Sequence, residues 1–210
     1  MKIKLPSQLL LLTILSLLLS SSSIAQTIPD SPTKVNPILI NSTIPDVSLK
    51  NIDGEDVNLR ELAAQQPTMI VFYRGGWCPY CTRHMGELQQ IEEEIVEMGY
   101  QILAISVDRP EALKKTLTDV ELTYTLLSDS PADALKGFGV AYTLDSQTVE
   151  RYKAYGIDLE KDSGYDHHIL PAPAVFLIDT EGTVKFQYVN PDHRERINGD
   201  ILLAAANAFK

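Results

Sequence analysis

The sequence predicts an α/β domain in which helices cover a mixed central sheet. From Thr68 onward, apolar runs of strand length alternate with amphipathic segments of helix length. Two further apolar runs flank a Thr180-Glu181-Gly182 turn, and a last apolar segment closes the chain. Alternating strands and helices give parallel strands with helices on the sheet faces, and a hairpin adds antiparallel strands to the same sheet. The chain of 210 residues is long enough for one such domain.

Residues 1–25 have the layout of a cleavable signal peptide. Lys2 and Lys4 give a basic start, Leu9–Leu19 is apolar, and Ser23-Ile24-Ala25 is a small-x-small cleavage site. The apolar stretch is too short to span a bilayer comfortably, so a retained membrane anchor is the weaker alternative. We therefore expect a secreted protein, located in the periplasm.

The net charge excludes two classes of binding partner, and the composition separates a linker from the domain. The formal net charge of the whole chain is −10, which offers no basic surface for nucleic acid or anionic lipid. Residues 26–42 contain Pro29, Pro32 and Pro37 among small and polar residues, a composition typical of a linker. We therefore predict a linker over 26–42 and one domain over 43–210.

The domain is predicted to open with a hairpin and a short helix. Val47–Lys50 and Val57 pair across a turn marked by Asp53-Gly54. Asn58 then caps a helix that has a Glu three residues later, and Pro67 ends that helix.

The central elements follow in regular order. Thr68–Tyr73 is a strand, and the helix over about Pro79–Met98 places apolar residues at steps of three and four, with Gly99 just past its end. The later elements are the strand Ile102–Val107, the helix from Pro110 to about Leu117, the strand Tyr124–Leu127, the helix Ala132–Phe138, the hairpin strands Ala174–Ile178 and Val184–Tyr188, and the closing helix Ile201–Phe209. Thr143–Leu170 does not fit this rhythm and is predicted to be a long inserted loop, which in a compact domain is usually functional or poorly ordered.

The only two cysteines of the chain, Cys78 and Cys81, form a Cys-x-x-Cys pair between the first central strand and its helix. The positive end of a helix favours the thiolate, which is the reactive form of cysteine. A purely structural disulfide is the alternative, but so short a loop removes little entropy from the unfolded chain and would stabilise poorly. The spacing therefore indicates a redox-active pair.

Five segments, in order along the chain, match a known family. They are Ile44-Pro45-Asp46-Val47-Ser48-Leu49, Val71-Phe72-Tyr73-Arg74-Gly75-Gly76-Trp77-Cys78-Pro79-Tyr80-Cys81, Ala104-Ile105-Ser106-Val107-Asp108, Leu126-Leu127-Ser128-Asp129 and Pro173-Ala174-Val175-Phe176-Leu177-Ile178-Asp179. Over about Ile44–Lys210, the sequence resembles the peroxiredoxin-like branch of the thioredoxin superfamily. The group concerned is related to alkyl hydroperoxide reductase and thiol-specific antioxidant proteins. The resemblance implies a thioredoxin-like fold and an antioxidant, thiol-dependent activity that serves cell redox homeostasis.

The resemblance also implies site residues, and the sequence departs from the family at two of them. Pro173 is expected to be the cis-proline that faces the dithiol. Peroxidases of this group carry a threonine three residues before the attacking cysteine, where this chain has Cys78, and an arginine near the later strand, where it has Pro173. Arg74 or Arg83 is the candidate substitute for that arginine.

Two assignments of the sulfurs compete. In the first, Cys78 is exposed at the helix start and attacks, and Cys81 resolves the intermediate. In the second, Cys81 occupies the peroxide-attacking position and becomes a sulfenic acid with which Cys78 condenses. Both give the same disulfide, and we favour Cys78 as the first nucleophile. Trp77 and Tyr80 flank the sulfurs and are expected to limit access to them, although Trp77 could instead be an ordinary core aromatic. Pro79 fits the first helical turn and is expected to tune the dithiol.

We therefore expect a thiol-dependent oxidoreductase that reduces hydroperoxides or disulfides, without a cofactor, using electrons from an external dithiol such as a thioredoxin-like protein. One alternative is an exported thiol-disulfide reductase for apoproteins without peroxidase activity. Another is a copper-binding chaperone in which Cys78, Cys81 and His84 bind metal with His167 or His168, although copper chaperones of this fold have three residues between their cysteines. The prediction assigns no metal to the site.

Overall fold

The computed structural model describes residues 27–210, so the predicted signal peptide lies outside the described residues. The strands are β1 (Ser48–Lys50), β2 (Asp56–Asn58), β3 (Thr68–Phe72), β4 (Gln101–Ser106), β5 (Thr125–Ser128), β6 (Ala141–Thr143), β7 (Ile169–Pro171), β8 (Ala174–Ile178) and β9 (Val184–Val189). The helices are α1 (Leu59–Gln65), α2 (Pro79–Glu97), α3 (Pro110–Val120), α4 (Asp133–Gly137), α5 (Ser146–Ala154), α6 (Leu159–Ser163) and α7 (Gly199–Phe209). Over this range, none of the helices combines the length and apolar character that crossing a membrane requires.

Seven strands form one mixed sheet in the order β2-β1-β5-β4-β3-β8-β9. The strands β3, β4 and β5 are parallel to one another. On one side β8 pairs antiparallel with β3, and β9 pairs antiparallel with β8. On the other side β1 pairs antiparallel with β5, and β2 pairs antiparallel with β1. This is the predicted arrangement, in which alternating strands and helices make the parallel centre and hairpins make the edges. The mixed sheet flanked by helices is therefore confirmed.

The central strand β3 divides the core into two apolar clusters. All five of its residues are buried. Because successive side chains of a strand point to opposite faces, Met69 and Val71 pack in the cluster that contains α2, while Ile70 and Phe72 pack in the other. In the second cluster, Phe72 meets Phe138 edge-on, with ring centroids 4.9 Å apart. The strand β3 is thus packed on both faces of the sheet.

The predicted capping signals are also found. The side chain of Asn58 accepts a hydrogen bond from the Glu61 N–H and begins α1. Gly99 follows α2 with a φ of 90°, a left-handed conformation that favours glycine. Helix α3 continues to Val120, one turn beyond the predicted end.

The predicted long loop is wrong as a description of the inserted residues. Between β6 and β7, which pair antiparallel as a small second sheet, residues 144–168 contain the helices α5 and α6. We call residues 144–168 the inserted segment. Asp145 and Asp158 cap the two helices through their side chains, but none of the residues of α5 is fully buried. A helix without a buried apolar face lacks the periodic pattern by which helices are recognised in a sequence.

Residues 27–42, predicted as a linker, lie against the domain. Backbone hydrogen bonds join Pro29 to Thr143 (2.8 Å), Ile38 to Phe138 (3.1 Å) and Asn41 to Val184 (2.8 Å). The prolines that suggested a linker therefore belong to a stretch that follows the domain surface and includes a short 3₁₀ helix at Pro32–Lys34.

Gly139 allows this stretch to approach. Its φ is 68°, and a Cβ at this position would lie 2.0 Å from the carbonyl oxygen of Asn36. Gly156 has a similar φ of 80° but nothing within 4 Å of the same position, so it is a matched control. We expect Gly156→Ala to lower the free energy of unfolding by about 1 kcal/mol, the cost of the left-handed conformation alone. Gly139→Ala adds the clash and should lower it by at least about 2 kcal/mol. Urea unfolding of both variants measures the difference, and equal losses would contradict the contact with Asn36.

Candidate active site

The site lies where β3 leaves the sheet and α2 begins. Cys78 is the N-cap residue of α2, and its carbonyl accepts hydrogen bonds from the N–H groups of Cys81 (2.9 Å) and Thr82 (3.1 Å). Pro79 is the first residue of the helix, where a missing N–H costs nothing, and it is exposed. The cysteines therefore stand one turn apart at the positive end of a 19-residue helix, as predicted.

Two glycines make the tight turn before the cysteines possible. Gly75 has a φ of 151°, and a Cβ there would lie 2.2 Å from the indole nitrogen of Trp77. A Cβ on Gly76 would lie 1.8 Å from the hydroxyl of Thr116 on α3. The N–H of Gly76 donates to the buried carboxyl of Asp108 at 2.8 Å, and burial raises the pKa of that carboxyl to about 7. The turn is thus fixed by contacts that any larger residue would displace.

The two sulfurs are neighbours and differ in character. A hydrogen bond from the Cys81 thiol lowers the pKa of Cys78 to about 6, although burial opposes this, and the nearby Arg74 guanidinium lowers it further. Burial, together with the bond donated to Cys78, raises the pKa of the Cys81 thiol well above its ordinary value. The pair therefore holds one thiolate, on Cys78, and one thiol, on Cys81.

The predicted exposure of Cys78 is wrong. Cys78 is 2% exposed and Cys81 is fully buried, and both belong to the apolar cluster that includes Trp77 and Tyr80. The position of Cys78 at the helix start suggested an open site, but the packing of this apolar cluster buries both sulfurs.

Arg74 is a buried cation beside the dithiol. Its guanidinium lies over the ring of Trp77, 5.1 Å from the centroid, and over that of Tyr152 in the inserted segment, at 5.5 Å. Its Nη2 donates a hydrogen bond to the hydroxyl of Tyr152. The inserted segment therefore reaches the site, through a contact between residues 78 positions apart in the sequence.

Arg196, which the sequence reasoning missed, contacts the second sulfur. Its Nη2 lies 3.3 Å from the Cys81 sulfur, and its Nη1 donates to the carbonyls of His193 (2.6 Å) and Glu195 (2.7 Å). It comes from the connection between β9 and α7, whereas the resemblance placed an arginine near the later strand, at the position of Pro173. The only signal in the sequence was that an arginine was expected late in the chain.

Pro173, the residue directly before β8, is in the trans form, so the predicted cis bond is wrong: residues 27–210 contain no cis peptide bond. The carbonyl of Pro173 accepts a hydrogen bond from the Asn190 N–H at 3.0 Å, which continues the pairing of β8 with β9. The ring lines a small cavity together with His84 and Arg196. Pro173 therefore shares this cavity with Arg196, the residue that contacts the Cys81 sulfur, and its carbonyl extends the pairing of β8 with β9.

The remaining predicted side chains border the site. Tyr80 is half-buried and meets His193 edge-on at 5.8 Å. Arg83 points away from the sulfurs, since its guanidinium lies over the Tyr80 ring and near the carboxylate of Glu87 in solvent. Arg83 is therefore not the substitute arginine, whereas Arg74 lies at the site.

Of the three histidines considered as metal ligands, one is buried and the other two form hydrogen bonds within the protein. His84 is buried, and desolvation together with the charge of Arg196 lowers its pKa to about 4. His167 bonds the carbonyl of Ser130 at 2.7 Å, and His168 bonds Glu160 at 3.0 Å. No group of three or more histidine, cysteine or acidic side chains in residues 27–210 is arranged to hold a metal ion. The geometry does not favour the copper-chaperone alternative.

Comparisons with known proteins show the family of the chain. The AhpC/TSA family matches residues 40–187. The chain is 30% identical to Peroxiredoxin Bcp of Escherichia coli (strain K12) over 171 residues, which cover 80% of this chain and 96% of that protein. It is 27% identical to the chloroplastic Peroxiredoxin Q of Gentiana triflora over 155 residues, which cover 74% of this chain and 61% of that one.

Solved structures show the same fold. Peroxidoxin BcpB from Mycobacterium tuberculosis superposes with a TM-score of 0.62 at 22% identity, covering 81% of this chain and 97% of that one. A peroxiredoxin-like protein from Aquifex aeolicus superposes with a TM-score of 0.64 at 19% identity, covering 84% of this chain and 91% of that one. At these identities the likeness concerns architecture alone. It confirms the thioredoxin-like fold that the sequence predicted.

Proposed function

The chain belongs to the AhpC/TSA family and is a thiol-dependent peroxidase of the peroxiredoxin type, and we propose that Cys78 and Cys81 are its redox pair. The observation that supports this assignment is the setting of the two sulfurs. They are hydrogen-bonded to each other, and each has an arginine beside it, Arg74 near Cys78 and Arg196 on Cys81. Two guanidinium groups around one thiolate leave positive charge to stabilise an oxygen anion that develops during the reaction.

In the first step, the Cys78 thiolate attacks one oxygen of the hydroperoxide. The O–O bond breaks and its electron pair leaves on the other oxygen, so Cys78 becomes a sulfenic acid and the peroxide becomes an alkoxide. The Cys81 thiol, which already donates to Cys78, gives its proton to this alkoxide and forms the alcohol. The charge that was on Cys78 is then on Cys81, where Arg196 stabilises it.

In the second step, the Cys81 thiolate attacks the sulfur of the Cys78 sulfenic acid. The disulfide forms and hydroxide leaves, which becomes water by taking a proton from solvent. An external dithiol then reduces the disulfide by thiol exchange and is itself oxidised. We propose a thioredoxin-like protein as this donor, since the reaction needs two electrons and one accessible thiolate.

The proposal is tested by mixing the reduced protein with hydrogen peroxide in the absence of a donor. We expect one peroxide to be consumed per chain and mass spectrometry to find the Cys78–Cys81 disulfide. With excess dithiol, consumption should continue, while insulin reduction by the same sample stays near the uncatalysed rate. Rapid insulin reduction without peroxide consumption would refute the assignment and favour an exported disulfide reductase.

We further propose that residues 1–25 direct export and are removed, which places the enzyme in the periplasm. The proposal rests on the basic start, the short apolar stretch and the cleavage site of the sequence. N-terminal sequencing of the protein recovered from its native cells is expected to begin at Gln26. A protein that keeps Met1 would contradict it.

A further inference from the structure

A cavity of about 300 Å³ opens beside the carboxyl ends of two parallel strands, apart from the dithiol. Ser128 is the last residue of β5, and Arg109 lies three residues after the end of β4. In open α/β sheets, the crevice outside the carboxyl ends of the strands is the usual place for a ligand. Small-molecule sites occupy about 300–1,000 Å³. The cavity is therefore large enough for a small organic molecule.

The walls of this cavity come from distant parts of the chain and are mostly polar. The first hairpin contributes Lys50 and Asp56, the start of α3 contributes Arg109, and the end of β5 contributes Ser128 and the residues after it. The inserted segment closes one side with residues 163 and 165. None of the lining residues belongs to the turn or the helix that carries the two cysteines, so this is a second site.

Arg109 brings a cation into the cavity whose donors are largely unused. Its backbone N–H donates to the carbonyl of Asp162 at 2.8 Å, which holds the residue at the start of α3. Within residues 27–210, its guanidinium forms one ion pair, with Glu111 at 3.6 Å, a distance too long for a hydrogen bond. The carboxylate of Asp162 acts on it only from beyond ion-pair distance. A guanidinium has five N–H donors, and their arrangement suits the oxygens of a bound anion.

Two hydroxyls and an ammonium group add donors from other walls. The Oγ atoms of Ser128 and Ser130 lie 2.9 Å apart, and the bond between them uses one of their two hydroxyl hydrogens. The described part of the chain gives the other hydrogen no acceptor. Lys50 donates to the Gly54 carbonyl at 3.3 Å and to the Asp56 carboxylate at 2.9 Å, and an ammonium group has a third hydrogen. The cavity therefore offers donors to an acceptor-rich ligand from three sides.

We propose that this cavity binds a small organic phosphate monoester, with Arg109 as the main contact of the phosphate group. A phosphate group has three acceptor oxygens and can accept from three walls at once, whereas a planar carboxylate has two oxygens. The organic part lies against the ring of Tyr165, which is 47% exposed and stacks on His167 with centroids 5.5 Å apart. The inference is independent of the proposed peroxidase function, because the two sites share no residue.

The probe for this site is phenyl phosphate, titrated into the purified protein by calorimetry. We expect one molecule to bind per chain. Benzoate keeps the ring but has a planar anion, and we expect it to bind at least about tenfold more weakly, in line with the loss of a charge-assisted hydrogen bond. Inorganic phosphate should also bind more weakly, because it buries no apolar surface. Equal affinity for benzoate or for inorganic phosphate would overturn the proposal.

Arg109→Gln removes the main phosphate contact and leaves the start of α3 intact, since the Arg109 side chain makes no capping hydrogen bond. We expect the Kd for phenyl phosphate to rise about 10–100-fold. Arg83→Gln is the matched control, because it removes the same charge from an exposed side chain outside the cavity. Its Kd should stay within about twofold of the wild type, since a distant exposed charge is screened by salt. Equal effects of the two substitutions would contradict a contact with Arg109.

Amide hydrogen exchange locates the ligand without any substitution. Saturation with phenyl phosphate is expected to slow exchange in residues 128–131 and 163–165 and to leave residues 75–82, around the dithiol, unchanged. Slower exchange around the dithiol alone would place the phosphate at the start of α2 and refute the proposal. The absence of binding heat at about 10 mM phenyl phosphate would refute it as well. Neither result bears on peroxide consumption, which is measured separately.

Discussion

Cys78→Ser is expected to abolish peroxide reduction, whereas Cys81→Ser should still complete the first step. Serine lacks a nucleophile that ionises near neutral pH, so the rate with Cys78→Ser should fall by about three orders of magnitude or more, to the level of the double variant. In Cys81→Ser the sulfenic acid forms on Cys78 but finds no second thiol. A sulfenic-acid reagent added after peroxide should therefore label Cys81→Ser and leave Cys78→Ser unlabelled.

The substitution itself should not disturb the fold. Cys78 is an N-cap residue without a side-chain capping hydrogen bond, and serine is among the best residues at this position. The double Cys→Ser variant defines the background rate. The reverse labelling pattern would show that Cys81 attacks first, with Arg196 as the group that stabilises its thiolate. Family resemblance alone matched Cys81 to the attacking position, so this experiment decides between two mechanisms that end in the same disulfide.

Reactivity of the dithiol is expected to rise with pH around 6 and to be constant above about pH 7. The pKa of Cys78 is lowered to about 6, so the thiolate fraction increases as the pH rises through that value. At pH 7 about 90% of such a thiol is ionised, against about 3% of an ordinary cysteine with a pKa near 8.5. This difference gives about a 30-fold faster reaction with iodoacetamide than an unperturbed thiol of equal nucleophilicity and equal accessibility.

Thiolate absorbance at 240 nm follows the same ionisation directly. Between pH 4 and 9 we expect one step, of one thiolate per chain, because the raised pKa of Cys81 keeps the second thiol protonated. Cys78→Ser should remove this step, and an alkylation profile centred near pH 8.5 would contradict the assignment. Because the pKa of Cys78 is lower in the folded than in the unfolded chain, its contribution to stability is complete above about pH 8.5 and is lost as the pH falls through 6.

Local patterns were enough to predict most elements of the fold. The run Thr68–Tyr73, the helix from Pro79 and the hairpin strands Ala174–Ile178 and Val184–Tyr188 were all found close to their predicted bounds. Each was predicted from the periodicity and end signals of residues within the element itself. The inserted segment was missed because its helices bury almost no apolar side chain, so their sequence has no helical pattern to recognise.

The candidate site was predicted in part. The position of Cys78 and Cys81 at a helix start follows from a strand, two glycines and a proline next to one another in the sequence. Their burial does not, because it depends on an apolar cluster in which they pack with residues of α3, β8 and α7, and no spacing rule describes that packing. Pro173 was assigned a cis bond from resemblance alone, and the pairing of β8 with β9 accommodates it as trans.

The sequence by itself determined the order of the elements, the mixed sheet and the placement of a dithiol at the positive end of a helix, since these depend on residues close together in the chain. Only the tertiary structure decided which side chains surround that dithiol. Tyr152 reaches Arg74 across 78 positions, and Arg196 reaches Cys81 across 115. Such contacts depend on how the sheet and the inserted segment pack, and packing is a property of the whole domain that no local pattern contains.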